Sequence, residues 1–316
     1  MIHRPSRREW LCWGAAVAAG SLCHDGKFCG AAPATAANPW QCRFAICNET
    51  FGSWSHERVC AFVAECGYQG IEIAPYTVAD DVRDISARTR ADLRRVADEA
   101  GLEIVGLHWL LARTRDLHLT SPDPDTRRRT LDYLRDLAQL CADLGGRVLV
   151  FGSPQQRRLA DGVTRGQGID FACEILTKLV PTLDALNITL ALEPLSSKAT
   201  NFLTTAAEAR ELVDRVAAPQ VALTLDCLAM SSESTPIPRI IQQQHHRLAH
   251  FHANDPNQQG PGFGQLDFAP IFATLQQIGY KGWISVEVFD YSPGPERLAR
   301  ASLEYMQSCL PRRATD

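Results

Sequence analysis

Short apolar segments alternate along the chain with segments in which apolar residues recur at helical spacing. From Cys42 onward, eight runs rich in apolar and β-branched residues are typical of buried parallel strands. We predict strands at residues 42–48, 70–75, 103–108, 147–152, 188–193, 221–226, 247–252 and 283–289. Helical periodicity is clearest over residues 84–100 and 126–144, and a last helix is predicted from Pro295 to Cys309. Strand and helix therefore alternate throughout.

Local signals place the ends of these helices. Helix ends are predicted at four glycines, because glycine readily adopts the left-handed conformation that ends a helix. They are Gly67, Gly101, Gly145 and Gly279. Asp170-Phe171 and Asp267-Phe268 predict helix starts, since an acidic residue there can accept hydrogen bonds from free backbone N–H groups.

Eight strand–helix repeats predict an α/β fold with a single (β/α)8 TIM barrel over residues 38–316. The competing architecture is a doubly wound open sheet. Such a sheet usually carries a glycine-rich nucleotide-binding turn after its first strand, and here that turn reads Asn48-Glu49-Thr50-Phe51. The barrel is therefore the predicted fold.

Residues 1–37 are predicted to be a leader that does not belong to the barrel. Ser6-Arg7-Arg8-Glu9-Trp10-Leu11 precedes an apolar run, residues 11–22, that is too short to be a stable membrane span. Ala34-Thr35-Ala36 is a candidate cleavage site. The segment resembles a bacterial twin-arginine export signal, which predicts an exported, periplasmic protein. The alternative is a cytosolic leader with a chance Arg-Arg pair, and thus a cytoplasmic protein.

Composition narrows the classes of partner. The net charge of −4 gives no electrostatic reason to expect a nucleic acid. The 11 cysteines are scattered singly, so free thiols are expected rather than a structural zinc site, with disulfides as the alternative. Composition leaves a homo-oligomer open.

Four polar residues lie at the predicted ends of the last four strands. They are Glu193, Asp226, His252 and Glu287. In a parallel barrel these ends meet at one face, so the side chains are expected to converge. A charge in an apolar strand is unfavourable unless it is paired or bound to metal, and no Lys or Arg adjoins them in sequence. His250 lies on the same face of its strand as His252, either as its partner or as a packing residue.

Three carboxylates and one imidazole favour Mn²⁺, Mg²⁺ or Co²⁺ over Zn²⁺. Such a metal can hold two oxygens of a hydroxy-carbonyl substrate and stabilise an enediolate. Glu193 and Glu287 are then predicted to remove and return a proton from opposite sides. A structural ion-pair role for the four residues is the alternative.

Candidate substrate-binding residues follow two of the strands. His108 and Trp109 end the third strand, where they would contact a sugar, although a packed histidine is the alternative. Asp255 and Asn257 follow the seventh strand and are predicted to line the pocket mouth, with an ordinary turn as the alternative. Residues 260–265 are predicted to form a flexible lid rather than a phosphate-binding loop.

From about residue 42 to 305 the chain resembles the xylose-isomerase-like TIM barrels, specifically the sugar phosphate isomerase/epimerase superfamily. The superfamily includes ketose 3-epimerases, hydroxypyruvate isomerases, inosose dehydratases and endonuclease IV. The matching motifs are Leu192-Glu193-Pro194-Leu195, Leu225-Asp226, His250-Phe251-His252, Gly262-Phe263-Gly264 with Asp267-Phe268, and Val286-Glu287.

The resemblance implies a metal-dependent isomerase or epimerase of a small sugar or polyol derivative. In the epimerases the four matching positions hold the metal, and both glutamates act as acid/base residues. A dehydratase or other lyase of the superfamily is one alternative, and a non-catalytic carbohydrate-binding barrel is another.

The chain departs from the ketose 3-epimerase pattern at three places. Those enzymes carry a substrate-binding Glu, His and Arg where this chain has Ala199, Ala229 and Gln258. The loss of these contacts argues against a ketohexose as the substrate. Endonuclease IV needs a richer set of zinc ligands and a DNA-binding surface, which an acidic chain fits poorly.

Overall fold

Eight parallel strands close into a barrel, in chain order, in the computed structural model, which describes Trp40 and residues 42–311. The barrel closes through the pairing of the first strand with the last. The strands are β1 Arg43–Cys47, β2 Gly70–Ile73, β3 Glu103–Leu107, β4 Val148–Phe151, β5 Thr189–Leu192, β6 Val221–Asp226, β7 Leu248–Ala253 and β8 Trp283–Val286.

Helices connect the strands. Those of the described residues are α1 His56–Cys66, α2 Ala87–Glu99, α3 Pro124–Asp143, α4 Arg165–Leu186, α5 Ala206–Val216, α6 Cys227–Met230, α7 Ile237–Gln244, α8 Ala269–Gln277 and α9 Pro295–Ser308. The predicted (β/α)8 barrel is confirmed. The predicted leader, residues 1–37, lies outside the described residues, so both the leader and export stay predictions.

The eight predicted strands all form, with ends that differ by at most three residues from those predicted. The difference matters on the side of the barrel where the strands end. His108, Glu193 and Glu287 each lie directly after a strand rather than within it. Each of these three residues is therefore the first residue of a loop. Its backbone continues in the direction that the strand sets.

The glycine signals for helix ends are confirmed. Gly67 ends α1 with φ 100°, a conformation that a residue with a Cβ rarely adopts, and its N–H donates to Ala64 O. The other three glycines also have positive φ.

One predicted helix start is right and the other is wrong. Ala269 begins α8, and its N–H donates to the Asp267 carboxylate at 3.0 Å. Asp170, in contrast, lies inside α4, which begins at Arg165. The true N-cap is Thr164, whose hydroxyl accepts from the backbone of Gln167 while the Gln167 side chain accepts from the Thr164 N–H.

The interior is apolar and the thiols are unpaired. Leucine, isoleucine and phenylalanine side chains of the strands and of the inner helix faces form the main core. The cysteines among the described residues are all free, as predicted. Over the same residues, none of the helices combines the length and apolar character that a membrane crossing requires.

Candidate active site

The structure brings together the four residues predicted to bind metal. Glu193 follows β5, Asp226 ends β6, His252 lies in β7 and Glu287 follows β8. All four are buried, and each offers one ligand atom within 4.8 Å of the others. Asp226 and His252 are direct neighbours in the β6–β7 register. We call this group the quartet.

His252 is held between carboxylates on both sides of its ring. Its Nδ1 lies 3.3 Å from Glu193 Oε1 and 2.9 Å from Glu287 Oε2. The second approach does not have hydrogen-bond geometry, and the buried Glu287 Oε2 has no hydrogen-bond partner among the described residues. On the other edge of the ring, Nε2 lies 3.4 Å from the carboxylate of Glu72. The quartet therefore contains a buried carboxylate oxygen that is available to a ligand.

Asp226 is fixed by two hydrogen bonds. Its Oδ1 accepts from the backbone N–H of Ala229 at 2.7 Å, and its Oδ2 accepts from the Asn254 side chain at 2.6 Å. Asn254 is itself oriented, because its Oδ1 accepts from the Leu228 N–H at 2.7 Å. The sequence prediction missed Asn254, although this residue directly follows β7 and lies two positions after His252.

The quartet contains more carboxylates than basic side chains. Burial and the carboxylates of Glu193 and Glu287 raise the pKa of Asp226 to about 8. Burial also raises the pKa of Glu287. Burial disfavours a charged His252, but Glu287 and Glu72 outweigh it and hold the imidazole pKa well above its usual value. Since the only basic side chain paired with these carboxylates among the described residues is His252, the donor set fits a divalent cation.

Gly152, which directly follows β4, leaves space for the Glu193 side chain. A Cβ built on Gly152 would overlap the Glu193 carboxylate, so a larger residue cannot occupy this position without moving Glu193. Gly152 thereby sets how deeply the Glu193 side chain reaches into the site.

Trp109 meets Glu287 across the site. Its Nε1–H donates to Glu287 Oε1 at 2.9 Å, and its ring packs against Phe289 and Tyr76. The backbone of Trp109 has φ 53°, which is unfavourable for so bulky a residue. Strain of this kind concentrates at functional sites. The indole lines the cavity above the quartet, and its predicted contact with a sugar stays a prediction.

A cavity of about 460 Å³ opens onto the quartet. Its lining includes Glu193, Asp226 and Glu287, together with apolar side chains such as Leu195 and Phe289. The three positions that depart from the ketose 3-epimerase pattern also line it: Ala199, Ala229 and Gln258. Short or uncharged side chains therefore occupy the wall where the resemblance places a Glu, a His and an Arg.

A second group of buried polar residues lies behind the quartet. We call it the inner cluster: Cys47, Glu49, Glu72, His108 and His250. His108 Nε2 lies 2.7 Å from Glu49 Oε2, and His250 Nε2 lies 2.7 Å from Glu72 Oε1. The predicted substrate residue His108 is fully buried in this pair and does not line the cavity. The prediction missed both glutamates.

Asp255 and Asn257 lie in the loop after β7 but outside the lining of this cavity. The buried Asp255 carboxylate accepts backbone hydrogen bonds from Gly262, Gly264 and Leu266 at 2.9–3.0 Å. Asn257 is exposed and donates to Phe263 O at 2.9 Å. These bonds fasten the glycine-rich loop, which argues against the free lid that the sequence predicted. The predicted contacts of Asp255 and Asn257 with substrate stay predictions.

Arg157 supports Glu193 from outside the cavity. Its fully buried guanidinium donates through Nη1 to the backbone carbonyl of Glu193 at 2.5 Å. Burial lowers the pKa of Arg157 to about 10, against the opposing effect of Glu193. The sequence gives no signal for this residue, since it lies in a polar run that is typical of a surface loop.

The chain belongs to a known family. A model of the family described as xylose isomerase-like TIM barrel matches residues 60–309. The L-ribulose 3-epimerase of Mesorhizobium japonicum is 27% identical over 249 residues, which cover 77% of this chain and 79% of that protein. The 3-dehydro-D-guloside 4-epimerase of Escherichia coli is 21% identical and covers 78% of this chain and 92% of that protein.

Solved structures agree with the fold. A D-psicose 3-epimerase crystallised in the presence of D-fructose superposes with a TM-score of 0.76 at 21% identity, covering 85% of this chain and 99% of that chain. The 3-keto-D-glucoside 4-epimerase of E. coli gives 0.74 at 19% identity, covering 85% and 100%. Because the curated relatives are sugar epimerases, the predicted class of enzyme, an isomerase or epimerase, is confirmed.

Proposed function

We propose that the protein is a divalent-metal-dependent epimerase that acts at a carbon next to the carbonyl of a sugar derivative. The observation that carries the proposal is the quartet itself, three buried carboxylates that line one cavity and the imidazole of His252 beside them. The names of the relatives support the reaction class, since they describe epimerases at carbon 3 or carbon 4 of sugars.

All four members of the quartet would hold the cation. The fit rests on their ligand atoms, which lie within 4.8 Å of one another, and on the partnerless Glu287 Oε2. Oxygen-rich donor sets favour Mn²⁺, Mg²⁺ or Co²⁺. When bound, such an ion supplies positive charge that stabilises the oxyanion formed when a proton leaves the neighbouring carbon.

The two glutamates would carry the proton. Glu193 and Glu287 come from different strands, β5 and β8, and both line the cavity, so a substrate between them presents one face to each carboxylate. One carboxylate removes the proton bound to carbon, and the other returns a proton to the opposite face, which inverts that centre. Trp109 orients this chemistry by donating to Glu287 Oε1 and leaving Oε2 free.

The cavity wall favours a substrate other than a free ketohexose. Ala199, Ala229 and Gln258 offer one polar side chain where three charged or hydrogen-bonding residues are expected from the resemblance. The remaining lining is apolar at Leu195, Leu228 and Phe289, and Ser196 and Lys198 add two polar side chains. We infer that the substrate carries fewer hydroxyl groups on this side, or a substituent that packs against it.

Solvent-deuterium incorporation tests the proposal directly. Purified protein loaded with Mn²⁺ is incubated in ²H₂O with a panel of ketoses and 3-keto-glycosides, and exchange next to the carbonyl is followed by NMR. Glu193→Gln and Glu287→Gln are each expected to lower the exchange rate about 100-fold or more. Glu304→Gln, at an exposed position, is the matched control and is expected to exchange like wild type.

The outcomes separate the alternatives. Full exchange in both glutamine variants would show that other groups move the proton. Metal binding without exchange on any sugar of the panel would favour a non-catalytic carbohydrate-binding barrel. Release of water from the substrate, seen as a new unsaturated product, would favour a dehydratase.

A further inference from the structure

A second cavity, of about 670 Å³, lies beside the one that opens onto the quartet. The loops after β1, β2, β3 and β8 form it, and it is lined by Glu49, Thr50, Tyr76, Arg113 and Tyr291 among others. The proposed reaction uses none of these residues. The cavity therefore needs its own explanation.

The two cavities adjoin each other. Trp109 lines the first cavity, and its ring meets the Tyr76 ring of the second edge-on, with centroids 6.4 Å apart. Glu287 of the first and Glu49 of the second belong to one group whose ligand atoms lie within 4.8 Å of one another. Trp109 thus stands between the two cavities, and a molecule with two linked rings would have to pass beside it.

The lining has the chemistry that binds a sugar ring. Tyr291 is 42% exposed, the one large hydrophobic side chain in the described part of the chain to be so open to solvent. Aromatic faces of this kind pack against the C–H faces of sugars, and Tyr76 adds a second ring whose position is set by the Arg113 guanidinium 4.3 Å from its centroid.

The second cavity also has polar groups that can bind the hydroxyl groups of a sugar. Glu49 and Thr50 are both more than nine-tenths buried, yet Glu49 Oε1 and Thr50 Oγ1 have no hydrogen-bond partner in the part of the chain that the structure describes. A buried polar atom without a partner is unfavourable until a ligand satisfies it. The lining holds both the carboxylate of Glu49 and the guanidinium of Arg113, so it does not select for an anion such as a phosphate, and the free oxygen of Glu49 suits a hydroxyl donor.

We propose that the second cavity is a subsite for a second sugar ring, linked to the ring that reacts above the quartet. The substrate is accordingly a ketose or keto-sugar that carries a glycosyl group, rather than a free monosaccharide. This inference rests on the proposed epimerase function for the reacting ring. It also accounts for the missing contacts at Ala199 and Ala229, because affinity would come from the second ring.

Calorimetry with isomaltulose, a glucosyl-fructose, and D-fructose as probes tests the subsite without any turnover. Mn²⁺-loaded wild type is expected to bind isomaltulose about tenfold more tightly than D-fructose, and Tyr291→Ala is expected to abolish that preference. Tyr291→Phe keeps the ring and is expected to keep the preference. Thr50→Val, which removes the partnerless hydroxyl, is expected to weaken isomaltulose binding alone.

Measuring turnover as well as binding tests the proposed subsite and the proposed epimerase function separately. Equal dissociation constants for the two sugars, or an unchanged preference in Tyr291→Ala, would overturn the subsite even if D-fructose exchanges deuterium readily. Tighter binding of isomaltulose that depends on Tyr291, without exchange on any sugar, would support the subsite and overturn the epimerase.

Discussion

The quartet and the inner cluster contain the same kinds of side chain and differ in how these are paired. In the inner cluster each glutamate has its own histidine, with Glu49 on His108 and Glu72 on His250, each pair at 2.7 Å. In the quartet the carboxylates of Glu193 and Glu287 share the single imidazole of His252, and Asp226 accepts only from neutral groups. Pairing with histidine gives a buried carboxylate a basic partner, whereas a surplus of carboxylates requires a cation from outside. The quartet has this surplus at a cavity.

Glu72 links the two groups. It is fully buried, accepts from His250 at 2.7 Å and lies 3.4 Å from Nε2 of His252, the one histidine of the quartet. A carboxylate on the outer nitrogen of a metal-binding imidazole orients the ring and increases its basicity. The inner cluster therefore acts as a support that directs Nδ1 of His252 towards the carboxylates of the quartet.

The largest expected effect comes from displacing one carboxylate of the quartet without removing it. Gly152→Ala places a Cβ against the Glu193 carboxylate and should lower the deuterium-exchange rate by about 100-fold, because a displacement near 1 Å has effects of that size. The measurement is exchange by NMR on protein whose fold is checked by circular dichroism.

Gly166→Ala is the matched control, since nothing lies within 4 Å of a Cβ at that position. It should exchange at the wild-type rate. A Gly152→Ala variant that exchanged equally fast would mean that the position of Glu193 does not limit the reaction.

Comparing the protein with and without metal tests the difference between the surplus carboxylates of the quartet and the paired carboxylates of the inner cluster. Mn²⁺ at 100 times its dissociation constant should stabilise the wild-type fold by about 2.7 kcal/mol, seen as a rise in Tm. Asp226→Asn should lose most of this rise, because the neutral amide removes one charged ligand of the quartet.

Glu304→Gln, far from both groups in sequence and exposed, should show the full rise in Tm. Glu49→Gln, in the inner cluster, should show it as well, since its carboxylate is paired. If Asp226→Asn responded to Mn²⁺ as wild type does, the quartet would not be the metal site.

The support role of Glu72 predicts a smaller effect. Glu72→Gln should weaken Mn²⁺ binding by about 10–100-fold, because His252 loses the carboxylate that orients its ring. Calorimetric titration of metal measures the change. Glu103→Gln, at an exposed glutamate on the adjacent strand β3, is the control and should bind metal normally. Unchanged affinity in Glu72→Gln would make Glu72 a packing residue.

The smallest effect is expected at the hydrogen bond from Trp109 to Glu287. Trp109→Phe keeps an aromatic wall but removes the indole N–H, so kcat should fall by about tenfold while metal affinity stays within twofold. A loss of metal binding that matched the loss of rate would instead assign Trp109 to holding the metal ligand.

The barrel and the quartet could be predicted from the sequence because their signals are local. Apolar runs of strand length repeat eight times, and a charged residue at the end of such a run stands out, as Glu193 and Glu287 do. Glu72 lies between two isoleucines in β2 and gives the same signal, so it could have been found.

Other features depend on contacts between distant segments. Glu49 belongs to the polar turn Asn48–Phe51, and only the closure of the barrel places it against His108, 59 positions away. Asp255 was predicted to face substrate, but its role in holding the glycine-rich loop arises from the path of that loop. Arg157 gives no sequence signal, because a buried arginine that serves a single carbonyl looks like any surface arginine.

The left-handed backbone of Trp109 has a consequence for how this protein could change. A residue that favours positive φ, such as glycine or asparagine, would relax the backbone there and raise the melting temperature. The same replacement would remove the donor to Glu287 and the wall between the two cavities. Selection for heat resistance alone would therefore drive this position away from tryptophan, so its retention in a thermally selected library would report that activity was being maintained.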